Sequence, residues 1–139
     1  MGPGEASASQ VASAEEVGRL LARRGAVVVC GGLGGVMEAA CRGAQREGGV
    51  AVGILPGLDR GAANPHASVA IATGLGEARN ALVVRAADAL IAVGGAYGTL
   101  SEIALALKAG KPVIGLGTWE IEGVESAEGP ESAVEAALA

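Results

Sequence analysis

Aromatic side chains are nearly missing from this 139-residue chain, which has Trp119, Tyr97 and no phenylalanine. A core without them must be assembled from Ala, Val, Leu and Ile packed closely around glycine, and the platforms on which nucleic-acid bases stack are lacking. A basic stripe is missing too: ten Lys and Arg are scattered along a chain of net charge −5, a poor match for a polyanion. Nucleic acid is therefore not an expected partner. No apolar run reaches the length of a membrane span, and Met1-Gly2-Pro3-Gly4-Glu5 has no positive stretch followed by an apolar one. The expectation is a cytoplasmic protein with no membrane partner. Cysteine is scarce: Cys30 and Cys41 fall at the end of a predicted strand and inside a predicted helix, where small buried hydrophobes commonly sit. Neither a metal site nor redox chemistry is expected of them. His66 is the one histidine, has no nucleophile or ligand cluster near it in sequence, and reads as a loop residue.

What the chain has instead is glycine, 24 of them, in a composition that is half hydrophobic. The length sets one domain over 1–139 with a single sizeable core. Ser13 and Glu16 have capping-box spacing, and Val17, Leu20 and Leu21 form an apolar stripe, which predicts a first helix over 13–24. Ala26-Val27-Val28-Val29-Cys30 has no polar alternation, as expected of a strand covered on both faces. Gly31-Gly32-Leu33-Gly34-Gly35 breaks it, and a helix then runs to about Glu47. Strands are predicted over 50–54, 68–72, 89–93 and 112–116, with helices over 77–87 and from the glycine turn at 94–98 to Gly110.

Apolar strands alternating with helices imply an α/β, Rossmann-like, doubly wound parallel sheet with helices on both faces. Such a sheet ordinarily begins with a strand that becomes central. Here 1–12 reads as the loop following that strand, so the expected sheet lacks its usual first strand. The acidic stretch 117–139 reads as a loop tail with a weak terminal helix over 130–138 and no chemistry.

In open parallel sheets ligands sit beyond the carboxyl ends of the strands, where helix N-termini offer unpaired N–H groups and partial positive charge. Gly94-Gly95-Ala96-Tyr97-Gly98-Thr99-Leu100-Ser101-Glu102 has what a phosphate cradle needs: glycines Gly94, Gly95 and Gly98 for close backbone approach, the Thr99 hydroxyl, and Glu102 one turn further in. Gly31, Gly32 and Gly35, followed by Met37, make a second such turn without a hydroxyl. Arg79 and Asn80 open the third helix at the same sheet edge, where a guanidinium can clamp a phosphate and pair with Glu102. Neither turn is a Walker loop, because the one Gly-Lys pair, Gly110-Lys111, precedes Pro112, and the spacing suits a mononucleotide-sized ligand better than a dinucleotide.

Gly31-Gly32-x-x-Gly35-Val36-Met37, Arg79 and Gly94-Gly95-x-x-Gly98-Thr99-x-x-Glu102 resemble the motifs of the LOG superfamily, once labelled lysine decarboxylases, over about Ser13 to Leu116. The stretches Val52-Gly53-Ile54-Leu55-Pro56-Gly57 and Thr73-Gly74-Leu75-Gly76-Glu77-Ala78-Arg79-Asn80 look most like a branch that includes molybdenum-cofactor carrier proteins. The resemblance to the better-known relatives implies a nucleoside 5′-monophosphate phosphoribohydrolase using Arg79 and Glu102. Resemblance to the smaller branch implies instead a non-catalytic carrier of molybdopterin or a similar phosphate-bearing ligand. Both imply phosphate held at the two glycine turns, with Met37, Asn80 and Tyr97 as further ligand contacts, and a homodimer or higher homo-oligomer. Neither requires a cofactor beyond a bound nucleoside monophosphate or molybdopterin-type ligand. Two departures from the hydrolases, Cys30 in place of a leading glycine and Val93 in place of proline, favour binding over hydrolysis. The decarboxylase label fails because Lys108 and Lys111 lie at the far end of their helix from the glycine turn, where no pyridoxal Schiff base could form.

Overall fold

The computed structural model describes residues 2–139. Helix α1 spans Ala8–Arg23 and begins earlier than its sequence suggests. Ser7 is its N-cap: the Ser7 hydroxyl accepts from the Gln10 backbone N–H, and the Gln10 side chain accepts from the Ser7 N–H. Ser13 and Glu16 have the same spacing but lie inside the helix, because Val11 and Ala14 extend the apolar stripe back towards Ser7.

Six strands and four further α-helices follow among the described residues: β1 (Val28–Cys30), α2 (Val36–Arg46), β2 (Ala51–Leu55), β3 (Val69–Ala72), α3 (Arg79–Ala86), β4 (Leu90–Val93), α4 (Tyr97–Lys108), β5 (Val113–Leu116), β6 (Val124–Ser126) and α5 (Pro130–Ala137). All strand pairs are parallel, in two three-stranded sheets of order β1-β2-β3 and β4-β5-β6. No ladder among the described residues joins β1 to β4, the place a central strand would take. The tail is more ordered than a loop. Val124 pairs with Val113 to make β6, and α5 seats Ala133 and Val134 in the main core.

Side chains alternate across the sheet as a doubly wound fold requires. Ile91 and Val93 of β4 face Ala14 and Val17 of α1, Val36 and Ala39 of α2, and Val134 of α5. Leu90 and Ala92 of the same strand face Val84 of α3 and Ile103 and Ala106 of α4. On the first sheet, Val28 and Cys30 face Cys41 and Ala44 of α2. With so few large side chains, close approach substitutes for bulk. At Gly18 of α1 an added Cβ would overlap the Ala40 carbonyl of α2, and at Gly43 of α2 one would overlap the Glu15 carbonyl of α1.

Lys111 closes α3 from outside the helix. Its ammonium donates to the carbonyls of Val84, Arg85 and Ala87 at 2.7, 3.0 and 2.6 Å, satisfying acceptors that a helix C-terminus leaves open.

Substituting a helical glycine by alanine ordinarily stabilises a helix by roughly 1 kcal/mol. Gly43→Ala is expected to do the opposite and lower the unfolding free energy by about 1–3 kcal/mol through overpacking against α1. Urea denaturation followed by circular dichroism checks this, and a more stable variant would show that the two helices do not pack at this distance.

Candidate functional site

The two glycine turns end β1 and β4, on the carboxyl edge of the sheets. Gly94 follows Val93 with φ +64°, a conformation open to glycine, while its N–H donates to Leu116 O at 3.0 Å. Its free face lies under the Gln10 side chain of the α1 cap, so the start of α1 rests on this turn. Helix α4 opens at Ala96 with no side-chain cap. Its first N–H groups, those of Tyr97, Gly98 and Thr99, therefore have no intrahelical partner and point outward with the positive end of the dipole.

That end of α4 borders a cavity of about 370 Å³, within the range of small-molecule sites. Six of the residues singled out from sequence line it: Met37, Arg79, Asn80, Gly98, Thr99 and Glu102. Pro3 and Glu77, not foreseen, also contribute to its wall.

Arg79 is delivered by a loop tied to the end of β2. Thr73 donates through both its N–H and its hydroxyl to Leu55 O, and the Gly76 N–H donates to Pro56 O. The guanidinium then passes over Gly31, where a Cβ would come within 2.7 Å of Nη2 and 2.8 Å of the Met37 sulfur. A side chain at position 31 would displace the Arg79 guanidinium or the Met37 sulfur from this place. Nη1 donates to Asn80 Oδ1, while Nε is buried with no hydrogen-bond partner.

The expected pairing of Arg79 with Glu102 does not form. The ion pairs among the described residues lie on α1 and α2, from Glu15 to Arg42 and Arg46 and from Arg19 to Glu16 and Glu47. Asn80, adjacent in sequence, takes the guanidinium instead. Glu102 is only 7% exposed, and burial raises its pKa above the ordinary carboxylate value, with Arg79 opposing the rise in part.

The first glycine turn is less open than the second. Pro3 O accepts from the Val36 N–H at 3.1 Å, and Gly35 is packed against the Pro3 and Gly4 carbonyls. The N-terminal segment thus takes the anion position at the start of α2, and Gly32 and Gly35 face protein. Gly94 and Gly95 likewise support the second turn from behind, without bordering the cavity.

Two features at the second turn have little sequence signal because they come from the stretch after β5. The Trp119 indole N–H donates to Ala96 O at 3.2 Å, and its ring stacks on Tyr97 with centroids 6.2 Å apart. Tyr97 remains 82% exposed. Next to Gly95, the Thr118 hydroxyl is buried without a partner. The two aromatic residues of the chain are therefore neighbours at the uncapped helix end. His66 sits in the loop before β3, its Nδ1 2.6 Å from Gln45 Oε1, away from the cavity lining.

Known proteins are similar to this chain in sequence and in fold. The model of the SLOG cluster4 family matches residues 1–137. An uncharacterized protein from Archaeoglobus fulgidus is 49% identical over 135 residues, covering 96% of this chain and 89% of that protein. The structure of the molybdenum cofactor binding protein from the phototrophic bacterium Rippkaea orientalis superposes with a TM-score of 0.92 at 40% identity, covering 97% of this chain and 90% of the other. The Moco carrier protein from Chlamydomonas reinhardtii gives 0.88 at 37% identity over 98% of this chain and 91% of its own.

The buried state of Glu102 has a consequence for stability. An unfolded glutamate ionises in the ordinary range, whereas folded Glu102 holds its proton to higher pH, so the native state binds the extra proton in between. Stability contributed by Glu102 is present below the unfolded pKa and lost as pH rises through the folded one. Glu102→Gln is expected to unfold at higher urea concentration than the parent at pH 8, with the gap closing as pH falls to about 4. A gap independent of pH would show that Glu102 titrates in the folded protein as it does in the unfolded chain.

Proposed function

Since the chain belongs to the SLOG cluster4 family, we propose that it binds and carries a small phosphate-bearing heteroaromatic ligand of the molybdenum-cofactor type. The observation that carries this reading is the uncapped N-terminus of α4, which opens on a cavity shared with the partnerless Nε of Arg79. Unpaired N–H groups, a helix dipole and a guanidinium together attract a phosphate and fix its orientation. The Thr99 hydroxyl adds a further donor, and the exposed Tyr97 ring backed by Trp119 offers a surface for a flat heterocycle next to that phosphate.

The donor set fits such cargo. Arg79 and the α4 turn would hold its phosphate, Tyr97 would cover its ring system, and any redox chemistry would belong to the cargo's own metal. Similarity over nearly the whole of the Rippkaea orientalis and Chlamydomonas reinhardtii proteins supports the same reading.

Phosphoribohydrolysis is the second reading, favoured by the presence of Arg79 and Glu102 in one cavity. Cleavage of an N-glycosidic bond develops positive charge on the sugar, which a carboxylate stabilises only when ionised. Burial works against ionisation of Glu102, which makes the carrier reading the better supported.

Isolated molybdenum cofactor, released from a molybdoenzyme, is expected to co-elute with the chain on size exclusion. Arg79→Gln and Thr99→Val should each weaken retention about tenfold or more, the worth of one or two charge-assisted hydrogen bonds. Unchanged retention in both variants would contradict the proposed site. Release of free base from a nucleoside 5′-monophosphate, abolished in Glu102→Ala, would establish the hydrolase in its place.

A further inference from the structure

Cys30 and Cys41 are both fully buried and free. Cys30 is the last residue of β1, immediately before Gly31 and the path of Arg79. Cys41 lies one helical turn beyond Met37 on the face of α2 that covers β1. Their sulfurs are 3.4 Å apart. Few positions in a core bring two thiols into contact, and this pair has polar neighbours as well. The Gly32 N–H reaches Cys30 Sγ at 3.4 Å, and the Asn64 amide reaches Cys41 Sγ at 3.7 Å. A purely apolar role would need neither donor.

We propose that Cys30 and Cys41 form an oxidisable dithiol, closed to an intramolecular disulfide by hydrogen peroxide. The approach required is short, from 3.4 Å to the roughly 2.05 Å of a disulfide. The Cys30 thiolate attacks one oxygen of the peroxide and breaks the O–O bond, leaving Cys30 as a sulfenic acid and releasing hydroxide, which becomes water. The Cys41 sulfur then attacks the Cys30 sulfur. The sulfenic oxygen leaves as a second water, taking up the Cys41 thiol proton. In sum, two thiols and one peroxide give one disulfide and two waters, with both sulfurs oxidised and both peroxide oxygens reduced.

The environment assigns the roles. The hydrogen bond from Cys41, with the Gly32 N–H and the Arg79 charge adding to it, lowers the Cys30 thiol to about 7, against its burial. The same Cys30 contact together with burial pushes Cys41 up. The Gly32 N–H that points at Cys30 Sγ, at the end of β1 beside Gly31, would support a thiolate there, so Cys30 takes the attacking role and Cys41, on α2 behind it, the resolving one. Met37 and Arg79, the side chains that lie against Gly31, line the ligand cavity, and this is the side from which the peroxide would approach. Closing the disulfide would tie α2 to the end of β1 directly beneath the first glycine turn.

The test is mass spectrometry of the reduced, folded full chain after brief exposure to hydrogen peroxide. The expected result is the loss of two hydrogens, a proteolytic fragment in which the peptides containing Cys30 and Cys41 are joined, and full reversal by dithiothreitol. In Cys41→Ser the resolving thiol is gone, and Cys30 should accumulate as a sulfenic acid trapped by dimedone. Two thiols still open to alkylation after denaturation, oxygen adducts on wild-type Cys30 that dithiothreitol does not reverse, or a disulfide between chains would each overturn the proposal. The wild-type measurement decides the matter even if the variant does not fold.

Discussion

Helix α1 holds the two halves of the molecule in register. The β1-β2-β3 and β4-β5-β6 sheets share no ladder among the described residues, so the spacing between their carboxyl edges depends on what packs across both. On one face that element is α1, which sets Ala14 and Val17 against β4, β5, α2 and α5 in a single core cluster. The approach to α2 is close because Gly18 and Gly43 have no side chains. The ion pairs of Glu15 and Arg19 along the same seam are half-exposed and contribute little by comparison. The cavity takes Met37 from α2 and Gly98, Thr99 and Glu102 from α4, helices that follow strands of different sheets, so its width depends on this helix contact. The α1 cap itself, through Gln10, rests on Gly94.

From that scaffold the character of the site follows by simple electrostatics. The two helix starts that face the edge have different fates. At α2 the Pro3 carbonyl satisfies the Val36 N–H, so the dipole there is spent within the protein. At α4 there is no cap, and the cavity wall keeps its donors. Arg79 stretches over Gly31 to the same cavity and leaves one nitrogen without a partner. A site of donors, one guanidinium and a carboxyl biased towards its neutral form suits an anion that is to be held. Burial of Glu102 raises the pKa of the carboxyl that shares this cavity, with Arg79 opposing the rise in part.

Much of this was legible in the sequence, and the failures have physical causes. Strand runs such as Leu90-Ile91-Ala92-Val93, without polar alternation, announced burial on both faces, and the glycine turns after Cys30 and Val93 lie at the carboxyl edge as expected. The start of α1 was misread because Ser13 and Glu16 carry the same spacing signal as Ser7 and Gln10, and only tertiary packing of Val11 decides between them. β6 is three residues long in an acidic tail, with only Val124 partly buried, so no periodicity could mark it. Trp119 and Thr118 reach the second turn only because the chain folds back after β5. The Arg79 side chain turned to Asn80 rather than Glu102, a choice between near and distant acceptors that spacing does not encode. The sulfur contact of Cys30 and Cys41 likewise joins residues on opposite sides of a turn.

The most direct test of the anion-binding α4 terminus is a nitrogen–proton correlation spectrum of the labelled chain titrated with a phosphate-bearing pterin. The account predicts the largest shifts at the backbone amides of Gly98 and Thr99 and at the Arg79 Nε–H, saturating together with one dissociation constant. Shifts confined to the amides of Gly31 to Gly35, with α4 unaffected, would contradict it.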